Sequence, residues 1–158
     1  MTTILELAAK YDNFLFDCDG VVWRADEQIG TAFETIEELE RLGKNVYFVT
    51  NNATKLQSDC AAKMKKMGFE GVKESNIYTS ASVVSKYIVR KYPEVRKVFA
   101  VGMKTVRDSL EAEGIEVIGA EKHVLSPDVD VTEIDYDNMK LDDDVGAVVY
   151  GLDTSFTH

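Results

Sequence analysis

Apolar and polar positions along the chain switch repeatedly between a period near two and a period near 3.6. Residues 13–17 (NFLFD) predict a strand that is apolar on both alternating faces, as a strand covered on both sides should be. Residues 31–43 predict a helix. Thr31 and Glu34 have capping-box spacing, Phe33, Ile36 and Leu39 form the apolar stripe, and Gly43 is a C-terminal stop. Residues 45–50 (NVYFVT) predict the next strand. Residues 54–68 predict the next helix, with Thr54 and Gln57 as a box, Leu56, Cys60, Met64 and Met67 on one face, and Gly68 at its end. A strand over 76–80 and a helix over 80–92, closed by Pro93, follow. The alternation then resumes with strands over 97–102, 115–119 and 146–151 and a helix over 103–114, and a short helix over 4–10 opens the chain. Strands separated by helices of this length imply a parallel, right-handed α/β sheet. The charged stretch KYPEVRK (91–97) is the expected boundary, dividing the chain into 1–93 and 94–158.

Composition narrows the partners. The 158 residues carry a formal net charge of -10, which argues against a nucleic-acid backbone or an anionic membrane as partner. An acidic protein that handles an anionic substrate needs a local cation, such as a metal ion. Much of the charge is local: residues 128–144 hold eight acids and one lysine, Lys140. That segment reads as a solvated loop, because no glycine sits where a calcium loop needs its sharp turn. Two cysteines, Cys18 and Cys60, without metal-ligand spacing fit a reducing compartment. No apolar run of about 18 residues is present to span a membrane. The first residues lack the marks of a signal peptide, so the expected location is the cytoplasm.

The strand 13–17 raises the chemical question, because it ends in carboxylates. Asp17 and Asp19, two apart, share one side of the chain while Cys18 turns away. In open α/β sheets, ligands bind beyond the carboxyl ends of the strands, and Gly20 frees the backbone to turn there. Two neighbouring carboxylates repel, and a divalent cation is the usual remedy. One could then serve as nucleophile and the other as general acid and base. The strand 45–50 supplies the complement: Thr50, Asn51 and Asn52 precede a predicted helix N-terminus, and a hydroxyl with backbone N–H groups makes an anion site. Taken singly, Asp-x-Asp is most often a turn or cap, and TNN a helix cap. Together, at the ends of consecutive strands, they suggest phosphoryl transfer through a metal and a carboxylate.

These motifs resemble a known family. FLFDCDGVVW, GKNVYFVTNNATK, IYTSA and KVFAVG, in this order and spacing, resemble the haloacid dehalogenase-like hydrolases, and within them the branch of 4-nitrophenylphosphatases and phosphoglycolate phosphatases. The resemblance covers essentially the whole chain. It implies a Rossmann-like α/β core, present in part over 1–93, and the first part of an inserted α/β cap over 94–158. Asp17 resembles the nucleophile that takes the phosphoryl group as an aspartyl-phosphate. Asp19 resembles the acid that protonates the leaving oxygen and then activates water. Asp17 and the backbone carbonyl of Asp19 resemble Mg²⁺ ligands. Thr50 resembles the residue whose hydroxyl holds the substrate phosphate, with the Asn51 backbone helping and Asn52 orienting the loop. Gly20 and Trp23 lie in the segment that moves with catalysis, with plain core packing as the other reading of Trp23. A small phosphorylated metabolite is the implied substrate, and a homodimer through the cap is implied by the family alone.

The chain also departs from the pattern. The family uses a lysine that neutralises the phosphorylated aspartate, and a later strand whose aspartates complete the metal site; neither is found here. Lys44 precedes the threonine strand and does not match that lysine. Asp153 matches a cap strand, and His123 and His158 sit in polar or terminal contexts. The 158 residues alone are therefore expected to be inactive and weakly stable. The alternative is a non-catalytic phospho-accepting or metal-binding regulatory module, or a pseudoenzyme. A receiver-like switch would carry its phospho-accepting aspartate on a later strand, where this chain has Thr50.

Overall fold

A computed structural model describes residues 3–119 and 142–153 of the chain. The chain divides into two compact units, Met1–Ser80 and Ala81–His158.

The first unit opens with α1 (Ile4–Ala8). Thr3 Oγ1 accepts from the Glu6 N–H and Glu6 Oε2 from the Thr3 N–H, a reciprocal cap. Three parallel strands follow, β1 (Asn13–Asp17), β4 (Asn45–Thr50) and β5 (Ile77–Thr79), in the order β1-β4-β5. Phe16 pairs with Phe48, and Asp17 with Val49. Between β1 and β4 lie a two-stranded ribbon, β2 (Trp23–Arg24) with β3 (Glu27–Gln28), and helix α2 (Ala32–Arg41). Helix α3 (Gln57–Lys66) and one 3-10 turn (Glu74–Asn76) join β4 to β5. The Gln57 carboxamide donates to the Ile77 carbonyl, and Asn76 Nδ2 to the Val46 carbonyl at 3.0 Å, pinning the helix start and the turn to the strands.

Helices α2 and α3 pack on β4 and β5. The core holds Ile36, Leu39, Val46, Phe48, Met64, Phe69 and Ile77, all essentially without solvent contact. The stripe Phe33, Ile36 and Leu39 is the buried face of α2, as its period requires. The expectation that the first strand is covered on both faces fails among the described residues. Leu15 is 67% exposed and Val49 38%, and they share the outward face with Asp17. Apolar composition showed that the strand could be buried twice, and the described elements bury it once. Two expected capping boxes are also absent. Thr31 caps α2 without a side-chain bond, since Glu34 accepts from Gln28 Nε2 instead. The helix expected from residue 54 begins at Gln57, and Asp59 Oδ2 accepts from the Leu56 N–H at 2.9 Å. The ribbon β2-β3 was not expected.

In the second unit, α4 (Ser80–Lys91) precedes three parallel strands, β6 (Lys97–Val101), β7 (Glu116–Gly119) and β8 (Val145–Tyr150), in the order β7-β6-β8. Helix α5 (Lys104–Ala112) joins β6 to β7. Ile88, Val98, Ala100, Val106, Leu110 and Val149 form a separate core. Ile88 places α4 with this core, so the compact units part at the start of that helix and not at its end near Pro93. The acidic segment over 128–141 and both histidines lie outside the described residues.

Candidate active site

The end of β1 is built by a tight turn. Strand alternation continues one step past Asp17, so Cys18 is fully buried while Asp17 and Asp19 face outward. Gly20 takes φ +86°, a conformation that side-chain-bearing residues resist. Its N–H donates to the Trp23 carbonyl at 2.7 Å, and the Cys18 carbonyl accepts from Val22 and Trp23 at 2.9 and 3.1 Å. The turn brings Trp23 back to Asp19, and the indole Nε1–H donates to Asp19 Oδ1 at 2.7 Å. Asp17 Oδ1 accepts from the Cys18 N–H at 2.9 Å. Among the described residues nothing donates to the second oxygen of either carboxylate. Trp23 is buried in the first core, so it both packs and holds Asp19.

The end of β4 lies next to this turn in the sheet. Thr50 is buried, and its hydroxyl oxygen accepts from the Asn52 N–H at 3.1 Å. Asn52 Oδ1 accepts from both the N–H and the hydroxyl of Thr54, at 2.8 and 2.7 Å, closing the loop that follows. The Asn51 carbonyl accepts from Ser80 Oγ at 3.2 Å. Because α3 starts at Gln57, the threonine motif does not stand at a helix N-terminus. Its donors are those of a loop.

Asp19, Trp23, Thr50 and Asn52 line one open cleft of about 440 Å³. Asp17 is not among the lining residues; it ends β1 opposite Val49, the residue before Thr50. The cleft also contains residues the motifs did not announce: Asp26 from the ribbon turn, and Lys55, Lys63 and Lys66 from α3 and the loop before it. Lys63 Nζ lies 4.9 Å from the Trp23 ring centroid and 4.0 Å from Asp26 Oδ1. Helical spacing could have signalled them, since Lys63 and Lys66 follow Cys60 at three-residue steps along the flank of α3 that borders the buried Cys60, Ala61 and Met64.

Burial sets the state of the two thiols, and the carboxylates add to it. Burial first, then Cys60, Asp19 and Asp17, push the Cys18 thiol up to about 12, while Lys63 pulls the other way. Burial followed by Asp59 and Asp19 raises the Cys60 thiol. Both cysteines are free, and neither is poised as a nucleophile. Among the described residues no cluster of three or more His, Cys, Asp or Glu side chains is placed to hold a metal. The exposed Asp17 carboxylate, with one open oxygen, is the kind of hard donor Mg²⁺ accepts beside carbonyl oxygens, water and substrate phosphate. With the backbone carbonyl of Asp19 it fits such an ion as part of its donor set.

The sequence profile of the haloacid dehalogenase-like hydrolases matches residues 14–116, which include both strand ends. The chain belongs to that family. It is 33% identical over 157 residues to phosphoglycolate phosphatase 1A, a chloroplastic protein of Arabidopsis thaliana, covering 97% of this chain and 41% of that one. It is 35% identical over 155 residues to 4-nitrophenylphosphatase of Schizosaccharomyces pombe, covering 97% and 51%. Among solved structures, the glycerol phosphate phosphatase of Mycobacterium tuberculosis in complex with magnesium shares the fold. Its TM-score is 0.67 at 23% identity, over 95% of this chain and 39% of that one. The chain thus spans about half the length of the curated relatives it matches. No helix among the described residues is long and apolar enough to cross a membrane.

Proposed function

We propose that this family member carries the nucleophile half of a Mg²⁺-dependent phosphomonoester hydrolase acting through an aspartyl-phosphate. The observation that carries the reading is the pairing of two strand ends. Asp17 and Asp19 face outward at the end of β1, and Thr50 ends the adjacent parallel strand β4. In the first step an Asp17 oxygen bonds to phosphorus as the ester oxygen leaves, and Asp19 gives that oxygen its proton. In the second, Asp19 takes a proton from water, whose oxygen bonds to phosphorus as the Asp17 bond breaks. Thr50 holds phosphate oxygens through its hydroxyl, the Asn51 backbone assists, and Asn52 keeps the loop closed. Asp17 and the Asp19 carbonyl would hold the Mg²⁺, which supplies positive charge against the phosphate. Gly20 gives the turn its freedom, and Trp23 orients Asp19.

The substrate is a small phosphorylated metabolite, in keeping with the phosphatase names of the relatives. A reducing, cytoplasmic setting fits two buried free thiols. The 158 residues alone are expected to turn over little, because the family's charge-neutralising lysine is not found in them.

The test is Mg²⁺-dependent hydrolysis of p-nitrophenyl phosphate by this chain beside its Asp17→Asn variant. Turnover that vanishes in the variant supports the mechanism and refutes the expected inactivity. If neither turns over, the decisive measurement is Mg²⁺-dependent binding of inorganic phosphate. Binding lost in Thr50→Val supports the reading; binding that ignores both Thr50 and Asp17 defeats it.

A further inference from the structure

The stretch IYTSA ends the third strand of the first unit, and its serine has no part in the mechanism above. Parallel pairing sets Thr79 of β5 beside Thr50 of β4, so the residues after them, Ser80 and Asn51, leave the sheet side by side. Ser80 Oγ donates to the Asn51 carbonyl at 3.2 Å. That carbonyl belongs to the same peptide group as the Asn52 N–H, which donates to Thr50 Oγ1 at 3.1 Å. A trans peptide is planar, and its C=O and N–H point in opposite directions. The 51–52 peptide is therefore held at both ends, by Ser80 on one side and by Thr50 on the other. The second hold decides what Thr50 can do. A backbone N–H can only donate, so the Thr50 oxygen is the acceptor and its own proton must point elsewhere. Thr50 is 4% exposed and lines the cleft, and among the described residues nothing accepts that proton. A buried hydroxyl with an unspent donor costs free energy until a partner arrives.

We infer that Ser80 is a positioning residue for the phosphate site: it fixes the 51–52 peptide so that the Asn52 N–H occupies the Thr50 oxygen and the Thr50 hydroxyl proton is left for a phosphate oxygen. The inference rests on the phosphate-site reading above and deepens it. A carbonyl that accepts a hydrogen bond polarises its peptide and strengthens the N–H at the other end. Ser80 thus acts on Thr50 through one peptide group, without touching the substrate. Water can replace the serine at Asn51, which is exposed, so loss of the Ser80 hydroxyl loosens the peptide and weakens phosphate binding without abolishing it.

The test is Mg²⁺-dependent binding of inorganic phosphate by this chain, measured by titration calorimetry beside its Ser80→Ala, Ser80→Cys and Ser80→Thr variants. Ser80 is exposed, so none of the three opens a cavity, and circular dichroism checks each fold. The expected result is binding weakened by about three- to tenfold in Ser80→Ala and Ser80→Cys, the worth of one hydrogen bond. Ser80→Thr keeps the hydroxyl and should keep the affinity. In the phosphate-free chain the Asn52 amide proton should move upfield in the NMR spectrum of Ser80→Ala and stay in place in Ser80→Thr, a signature that a merely structural serine would not give. Unchanged affinity in Ser80→Ala, equal weakening in Ser80→Thr, or an unmoved Asn52 amide overturns the role of Ser80 and leaves Thr50 as a phosphate ligand. Failure of the unaltered chain to bind phosphate overturns both.

Discussion

At the level of single residues, the turn after β1 joins packing to chemistry. Trp23 is buried, yet its indole N–H reaches Asp19 at 2.7 Å. Trp23→Phe keeps a ring in the core and removes the donor. It should lower stability by about 0.5–1.5 kcal/mol in urea unfolding, the net worth of one hydrogen bond. In any active form it should lower kcat more than it raises KM, because Asp19 loses its orientation. A stability loss with kcat unchanged would make Trp23 core packing only. Cys18 offers a pH test. Its thiol is pushed up to about 12, above its ordinary 9.0, so between those values the unfolded chain has given up a proton that the native chain keeps. Stability should fall as pH rises from about 9 to about 12, and Cys18→Ala should flatten that slope. Native Cys18 should also resist iodoacetamide at pH 8, since both burial and the missing thiolate protect it.

At the level of elements, strand ends are where the sequence has least freedom. β7 closes on Gly119 at φ +81°, and a Cβ there would stand 2.5 Å from the Ala100 carbonyl oxygen of β6. Gly119→Ala should therefore cost at least the ~1–3 kcal/mol of a forced left-handed residue, read as a lowered urea midpoint. Lys97, at the start of β6, meets Glu116 of β7 at 3.3 Å and Asp142 ahead of β8 at 3.1 Å. The Lys97 hydrogen bond, helped by the Asp144 N–H, holds the Asp142 carboxyl below its usual range. Its contribution is present above the ordinary carboxylate value and is lost as pH falls through the depressed one. Lys97→Met should remove that acid-side dependence from the second unit; an unchanged acid limb would show that the pair contributes nothing.

At the level of the whole molecule, the first unit keeps an apolar sheet face in contact with solvent. Leu15 and Val49 lie on it, with Tyr47 and Tyr78 edge to face beside them at 6.1 Å between ring centroids. Such a face should bind a hydrophobic dye in the native state. Leu15→Thr/Val49→Thr should reduce that signal while the circular dichroism spectrum stays unchanged. Undiminished dye binding would locate the exposed surface elsewhere. The sequence by itself determined the α/β alternation, because the periods of two and 3.6 are local properties of side-chain direction. It also determined which residues stand at the ends of β1 and β4, since Asp17, Asp19 and Thr50 close apolar runs. Three things only the tertiary structure decided. Burial on one face or two depends on what packs against a strand, and Leu15 reads the same in either case. The start of α3 depends on competition for N–H groups: Asn52 takes the Thr54 N–H and Asp59 the Leu56 N–H, so the box at Thr54 never forms. The meeting of Trp23 with Asp19, and of Lys63 with both Trp23 and Asp26, depends on a reversing turn at Gly20 and a ribbon too short to leave a periodic trace. Local pattern records what one residue's neighbours in sequence permit, and a cleft is made by residues that are neighbours only after folding.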